Sequence, residues 1–104
     1  MLPLDEQFYR DDHLFVHLRH QVVMLDGQAI TLTRNQYCLL ALLLEHPGEV
    51  VPRAMISRTV FGSKSTHMLK GHIDAVRRKL GIYGDQYIET VPRVGYRFRP
   101  LLGP

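Results

Sequence analysis

The chain has 104 residues, 45% of them hydrophobic, which is enough for one domain with a modest core and too little for several domains. Its single cysteine, Cys38, excludes an internal disulfide and lies in an apolar run, so we expect a buried thiol in a reducing compartment. The longest unbroken apolar run, residues 37–44, is far shorter than the ~20 residues that cross a membrane. The N-terminus lacks a signal-peptide pattern, and the sequence therefore predicts a cytoplasmic protein without a membrane segment.

The net charge of +3 conceals an uneven distribution along the chain. Residues 1–49 carry three basic and seven acidic side chains, a net charge of −4, whereas residues 50–104 carry ten basic and three acidic side chains, a net charge of +7. Such a gradient favours a polyanionic partner for the C-terminal half. Basic residues can also serve only to keep a small domain soluble, so charge alone leaves both interpretations open.

The N-terminal third is predicted to be a lead-in followed by a small antiparallel sheet. Residues 1–12 are acidic and contain a proline, which is typical of a loosely held lead-in or the remnant of a linker. Three short apolar runs then predict strands at residues 14–16, 21–25 and 29–32. Asp26-Gly27 separates the last two, and this dipeptide between apolar runs indicates a hairpin because both turn residues must adopt positive φ.

The first predicted helix, residues 34–45, is the expected centre of the core. Thr33 is its predicted N-cap, and Gln36 completes a capping box. The helix is apolar on nearly every side, which is typical of a helix covered on more than one flank. His46-Pro47-Gly48 ends it, because proline disfavours helix at the preceding residue and glycine supplies the turn.

A second helix is predicted over residues 53–61, with Pro52 in its first turn. A turn of small and polar residues, 62–65, follows it. The expected orientation places one set of side chains toward the core, namely Met55, Ile56, Val60 and Phe61. The same orientation places three others toward solvent, namely Arg53, Ser57 and Arg58.

The third predicted helix, residues 66–80, has two faces of different chemistry, and Ser65 or Thr66 is its expected cap. Four apolar residues follow the spacing of a helix packed on a core: Leu69, Ile73, Val76 and Leu80. The opposite face has small residues at its centre and polar groups around them: His67, Lys70, Gly71, Asp74, Ala75 and Arg78. This face predicts close approach to something polar and anionic, and the major groove of DNA is wide enough to admit a helix.

The chain closes with two predicted strands, residues 87–91 and 96–99, after turns at Gly81 and at Gly84-Asp85. Residues 92–95 join the strands in a loop with Arg93 at its tip. Alternation along the second strand places Val94, Tyr96 and Phe98 on one face and Arg97 and Arg99 on the other. A helix-turn-helix followed by an arginine-tipped hairpin is the arrangement of a winged helix.

These motifs together resemble the OmpR/PhoB-type winged-helix domain, the C-terminal DNA-binding module of bacterial two-component response regulators. Residues 72–80 read His-Ile, two variable positions, a hydrophobic residue and Arg-Arg-Lys-Leu, and Thr90-Val91 and Gly95-Tyr96-Arg97-Phe98 follow. The resemblance extends from about Leu14 to Arg99. It implies an α+β fold with a small N-terminal antiparallel sheet, a three-helix core and a C-terminal β-hairpin wing. The domain is then expected at residues 13–100, with a tail at 101–104.

The resemblance also implies a function, which is sequence-specific binding of double-stranded DNA by a transcription regulator. The recognition helix 66–80 is expected in the major groove and the wing 87–99 near the minor groove. By position, His72, Arg77 and Arg78 are expected to contact the backbone or line the groove, and Thr90 to contact a phosphate. The complete set of expected DNA-binding residues is Lys64, Thr66, His67, Lys70, Gly71, His72, Asp74, Ala75, Arg77, Arg78, Thr90, Arg93 and Arg97.

Several positions depart from the usual pattern of the family. His67 stands where an arginine is usual, Lys70 where an aspartate is frequent, and Ala75 where an arginine or another polar group is frequent. The wing arginine, Arg93, is displaced by one residue. The target sequence, the choice between activation and repression, the upstream signal and the oligomeric state off DNA therefore do not follow from the resemblance.

Some interpretations stay open at the level of sequence. Asp74 either orients Arg78 at i+4, which we favour, or accepts a hydrogen bond from a cytosine amino group. Lys79 is expected to complement the helix dipole. Family members carry an upstream receiver domain, and nothing before Leu14 is long enough to be one, so the chain is either an effector domain cut from a longer regulator or a free-standing version.

Other classes of function receive little support. Of the six histidines, His67 and His72 face apart on the helix, and no metal site or cofactor is predicted. No catalytic constellation and no phosphate-binding loop is present in the sequence, so we do not expect an enzyme. The rival hypothesis is a protein–protein module that docks RNA polymerase through residues 62–65. Two copies on direct-repeat sites are expected by analogy with the family.

Overall fold

The computed structural model describes residues 7–101, in which two antiparallel sheets flank a group of helices. The first sheet has the order β1-β2-β3-β4, with strands Phe8–Arg10, Leu14–His17, Val22–Leu25 and Gln28–Ala29. The second sheet has the order β5-β7-β6, with β5 at Val50–Pro52, β6 at Ile88–Val91 and β7 at Gly95–Phe98. The α-helices are α1 (Arg34–Leu44), α2 (Arg53–Phe61), α3 (Leu69–Lys79) and the single turn α4 (Gly84–Tyr87). A 3-10 turn, Gly81–Tyr83, precedes α4.

The first sheet confirms the predicted hairpin. Asp26 and Gly27 have φ of 49° and 82°, the two positive values that a two-residue turn between right-twisted strands requires. Leu14 and Val16 are fully buried while the residues between and after them are half-buried, so β2 has one face on the core. The last strand of this sheet is shorter than predicted: it comprises residues 28–29, and beyond them only the Ile30 N–H donates to β3, to the Val23 carbonyl at 2.9 Å.

The predicted lead-in, residues 1–12, is wrong for the part that forms β1. Residues 8–10 pair with β2, Tyr9 lying opposite Val16. The Tyr9 ring packs edge-on against Phe98 with the centroids 5.0 Å apart. Three residues are too few to show the alternating pattern of a strand. They pair because β2 offers the backbone groups of its free edge to them. Residues 1–6 of the predicted lead-in and 102–104 of the predicted tail lie outside the described residues.

Helix α1 is the centre of the core, as its apolar sequence predicts. The capping box is present: the Gln36 N–H donates to Thr33 Oγ1 at 3.2 Å, and the Thr33 N–H donates to Gln36 Oε1 at 3.0 Å. Side chains of α1 pack against α2, α3 and β7, and the Tyr37 hydroxyl donates to the Leu18 carbonyl of the first sheet at 2.8 Å. Cys38 is half-buried rather than buried as expected, because this side of α1 is incompletely covered.

The predicted orientation of α2 is wrong at two positions. Ser57, expected toward solvent, is 2% exposed, and Met55, expected toward the core, is 37% exposed. Ile56 is fully buried as predicted. Nine residues define the phase of the apolar face loosely, and packing on α1 selects it. Pro52 is the N-cap with extended backbone, φ −61° and ψ 144°, so it precedes the first turn instead of lying within it.

Helix α3 has the predicted apolar stripe but begins later than expected. Its stripe residues, Leu69, Ile73, Val76 and Leu80, are at most 2% exposed. Met68 is the N-cap and makes no side-chain capping bond, so the predicted cap at Ser65 or Thr66 is wrong. Ser65 Oγ instead accepts the His67 N–H at 3.1 Å, a local turn that competes with helix.

The segment that connects α3 to the wing packs closely against the end of α3. The predicted turn at Gly84-Asp85 is instead the 3-10 turn and α4, and Gly84 is buried so closely that a Cβ there would overlap the Arg77 carbonyl. Gly95 lies equally close to the Val51 carbonyl of β5. Val94, expected on the core face, is 50% exposed in the loop between β6 and β7.

Throughout residues 7–101, every helix is too short or too polar to traverse a lipid bilayer.

Candidate nucleic-acid interface

The side of α3 opposite its apolar stripe is open to solvent, and we call it the α3 face. It consists of the exposed Lys70, Gly71 and Arg78 and the half-buried Asp74 and Ala75. The Lys70 side chain is 79% exposed and that of Asp74 is 34% exposed. An added Cβ at Gly71 would meet no atom within 4 Å, so the helix backbone is open to a ligand at this point. The structure therefore brings together five of the predicted site residues on one surface.

Asp74 is the electrostatic centre of the α3 face. Lys70 Nζ lies 2.8 Å from one carboxylate oxygen and Arg77 Nη1 lies 3.4 Å from the other. The hydrogen bond from Lys70 lowers the pKa of Asp74; burial opposes it, but the charge of Lys70 and then the bond and charge of Arg77 add to the lowering, so the carboxylate is charged at neutral pH. The expectation that Asp74 orients Arg78 is wrong, since its two partners are Lys70 and Arg77.

Arg77 faces the interior and joins α3 to the wing. Its side chain is only 16% exposed. Nε and Nη2 donate to the Ile88 carbonyl at 3.1 and 2.7 Å, and Nη2 also donates to Thr90 Oγ1 at 2.8 Å. The guanidinium carbon lies 5.8 Å from the centroid of the Tyr96 ring. Arg77 thus uses its donors within the domain, unlike a side chain poised toward a phosphate.

The wing presents one exposed arginine at its tip. Arg93 has φ of 68° and is exposed in the three-residue loop after β6. Thr90 is exposed on β6, and its hydroxyl oxygen accepts the bond from Arg77. Arg97 lies opposite Glu89 in the sheet, where its Nε donates to Glu89 Oε1 at 2.7 Å. The charge of Arg97 is therefore offset by its own cross-strand partner.

The loop between α2 and α3 carries three of the remaining predicted residues, and the first turn of α3 carries the fourth, His72. Lys64 and His67 are exposed and Thr66 is half-buried. The His72 ring is stacked on Phe61 with the centroids 4.2 Å apart, which places His72 at the edge of the loop and leaves it half-buried. These four residues border the N-terminal end of the α3 face.

Several cations around the α3 face have no acidic partner. Within residues 7–101, no ion pair involves Lys64, Arg78 or Arg93. Arg53, which sequence reasoning did not place in the site, is exposed at the start of α2, and its backbone N–H donates to the Val94 carbonyl of the wing at 3.1 Å. No motif marks Arg53 as a site residue, and only the pairing of β5 with β7 brings it beside the wing.

Most of the chain matches a known family of transcription regulators. The family described as "Transcriptional regulatory protein, C terminal" matches residues 27–98, which is more than half of the chain. The chain belongs to this family. The OmpR/PhoB-type resemblance and the winged-helix fold inferred from the sequence are confirmed, and the match includes α3 and the wing. OmpR/PhoB-type domains are DNA-binding modules of transcription regulators in two-component systems, and they are not a class of enzyme.

Individual relatives agree with this membership. The response regulator protein PmrA of Pseudomonas aeruginosa is 39% identical over 80 residues, which cover 74% of this chain and 34% of PmrA. The solved DNA-binding domain of CpxR from Escherichia coli is 33% identical with a TM-score of 0.78, and the match covers 89% of this chain and 96% of that domain. The chain thus spans about a third of the length of PmrA.

A solved complex shares the fold of this OmpR/PhoB-type domain. The DNA-binding domain of RstA from Klebsiella pneumoniae, in complex with the RstA box, has a TM-score of 0.79 at 24% identity. The match covers 90% of this chain and 98% of the RstA domain. At this identity the likeness concerns the arrangement of helices and sheets, and the side chains of the α3 face must be interpreted from this chain itself.

Proposed function

We propose that this OmpR/PhoB-type domain binds double-stranded DNA with sequence preference, placing α3 in the major groove and the wing loop near the adjacent minor groove. The observation that carries the proposal is the α3 face, where Gly71 and Ala75 leave room for close approach. Three cations, Arg78 on this face, Lys64 in the preceding loop and Arg93 in the wing, form no ion pair within residues 7–101. The major groove admits a helix of this kind, and its floor offers both acceptors and donors to the polar side chains.

The predicted site residues divide into three roles under this proposal. Lys70, Asp74 and Arg78 face the bases, with Gly71 and Ala75 between them. Exposed or half-exposed groups at the periphery contact phosphates or sugars: Lys64, Thr66, His67, His72 and Thr90, with Arg93 toward the minor groove. Arg77 and Arg97 act as positioning residues, because their donors are engaged with the wing and with Glu89. Phosphate contacts supply most of the affinity and base contacts supply the preference.

The finer biological setting is also a proposal. We infer that two copies occupy direct-repeat sites, that the domain works in the cytoplasm, and that RNA polymerase is a further partner through residues 62–65. The exposed Met68, at 66% exposure beside this loop, supports a protein contact there. The competing proposal is that this protein contact is the principal function and that DNA binding is weak.

Selection from random duplexes followed by sequencing tests the proposal. The protein should enrich one sequence, and its affinity for that duplex should fall steeply as salt rises because counterions are released. Arg78→Ala should change the preferred base at one position, with a loss of about 1–3 kcal/mol for the original duplex.

Arg19→Ala is the matched control, because it removes the same charge from the exposed turn between β2 and β3, away from the α3 face. It should leave the preferred sequence unchanged. If the folded protein binds no duplex at moderate salt but does bind a subunit of RNA polymerase, the competing proposal replaces this one.

A further inference from the structure

We propose that Lys70 and Asp74 act as one unit that recognises a single G·C base pair, with Lys70 on guanine and Asp74 on cytosine. This inference rests on the proposed insertion of α3 in the major groove and adds the base pair that the α3 face selects. The two side chains lie one helical turn apart and are joined at 2.8 Å. They therefore form a cation and an anion side by side on the surface that faces the bases.

The position of the carboxylate is fixed before DNA arrives. Asp74 is bonded on one side by Lys70 and on the other by Arg77, and Arg77 is itself held by the Ile88 carbonyl and Thr90. Asp74 thus has its orientation set from the wing through Arg77. Lys70 is held only at its terminal nitrogen and is 79% exposed, so it can move toward a guanine without breaking the core.

A carboxylate inserted between two phosphate backbones is unfavourable unless it meets a hydrogen-bond donor. In the major groove only the amino groups of cytosine and adenine are donors, so Asp74 restricts the base in front of it to these two. A site built for electrostatic attraction alone would place no acid at its centre. Asp74 is therefore expected to reduce the affinity for most sequences and to leave it high for a few.

The neighbouring cation favours G·C over A·T. The edge of a G·C pair presents the two acceptors of guanine together and then the donor of cytosine, whereas an A·T pair presents acceptor, donor and acceptor in turn. A lysine beside an aspartate matches the first order, since Lys70 meets both guanine acceptors and Asp74 meets the remaining donor. Gly71 adds no side chain between them, so the bases and the helix can approach closely.

The test compares selected duplexes for the wild type, Lys70→Met and Asp74→Asn. In the wild-type sequence one G·C pair should be required, and its replacement by A·T should weaken binding about tenfold. Lys70→Met should abolish the preference for G·C over A·T at that same position, while Asp74 still requires an amino group from cytosine or adenine there. Asp74→Asn should shift the preference toward A·T, because an amide pairs with adenine through two hydrogen bonds. Asp74→Asn should also raise the affinity for unrelated duplexes, since it removes an anion from the interface.

Asp12→Asn removes an equal charge from the exposed loop after β1 and serves as the control. It should leave the preferred base unchanged at every position of the selected duplex. Thermal unfolding verifies that all variants fold. If the wild type selects a sequence but Lys70→Met and Asp74→Asn affect different positions, or none, the unit is rejected while DNA binding stands. If the wild type selects no sequence, both proposals are rejected.

Discussion

Asp11 and Arg77 tie together two different parts of the domain by the same kind of contact with opposite charge. The carboxylate of Asp11 accepts hydrogen bonds of 2.5 to 2.8 Å from two backbone amides and two hydroxyls, those of His13, Leu14, Tyr9 and Tyr87. It joins the first sheet to α4. The guanidinium of Arg77 donates to β6 and joins α3 to the second sheet.

The difference between the two anchors lies in where their contacts end. Burial would raise the pKa of Asp11, but the hydrogen bonds from Tyr9, two backbone amides and Tyr87 outweigh it and lower that pKa. All of these partners are neutral groups of the domain itself. Arg77, by contrast, also reaches Asp74 and thereby the α3 face. One charged anchor therefore supports the fold alone, whereas the other connects the fold to the proposed DNA surface.

Arg77→Ala should give the largest effect, because it removes the hydrogen bonds by which Arg77 joins α3 to the second sheet. Loss of the bonds to Ile88 and Thr90 leaves a half-buried acceptor and should lower the free energy of unfolding by about 2–3 kcal/mol. Because the wing loses its position, DNA affinity should fall on every sequence, and because Asp74 also loses its partner, the preference for the selected G·C pair should weaken as well. Urea unfolding measures the first effect and fluorescence anisotropy with several duplexes measures the second.

Arg77→Lys separates geometry from charge. Lysine keeps the positive charge but cannot bond in the planar, forked geometry of arginine, so most of the loss should remain. Recovery of both stability and DNA affinity by lysine would show that charge alone explains the role of Arg77.

Asp11→Asn should have the next largest effect. It weakens the hydrogen bonds by which Asp11 joins the first sheet to α4 and leaves the α3 face unchanged. We expect a loss of about 1–2 kcal/mol in the free energy of unfolding, because the charged acceptor of several hydrogen bonds is removed. DNA affinity of the folded protein should not change. A selective loss of DNA binding at unchanged stability would contradict the division between the two anchors.

The Asp11 contribution should also depend on pH in one direction. Because the pKa of Asp11 is lower in the folded than in the unfolded chain, its stabilisation is present above the unfolded pKa of about 4 and is lost as pH falls through the folded pKa. The difference in stability between wild type and Asp11→Asn should therefore be constant near neutral pH and shrink in acid. Urea titrations at a series of pH values measure it.

Thr33→Ala should have the smallest effect and provides an uncharged comparison. It removes one half of the capping box of α1 and should cost about 1 kcal/mol. Since no ionisable group is involved, this cost should be the same at every pH between 4 and 8. A pH-dependent cost would mean that the acid response assigned to Asp11 belongs to the whole domain.

Local features of the fold were predictable because their causes lie within a few residues. The capping box at Thr33, the turn at Asp26-Gly27 and the buried stripe of α3 each follow from neighbouring side chains and helical or strand periodicity. The start of α3 was missed since Ser65 has a competing local hydrogen bond. The phase of α2 was missed since packing on α1 decides which of Met55 and Ser57 is buried.

The sequence by itself determined the order of the three main helices and the two wing strands, the family and the set of polar residues around α3. Only the tertiary structure decided which of those polar groups are already engaged inside the domain. Arg77 meets Ile88 across 11 positions, and Asp11 meets Tyr87 across 76. No periodic pattern encodes such pairs, because they depend on how separate elements pack. Arg77 and Arg97 therefore hold the wing, while Lys70, Asp74 and Arg78 remain at the surface that we propose contacts DNA.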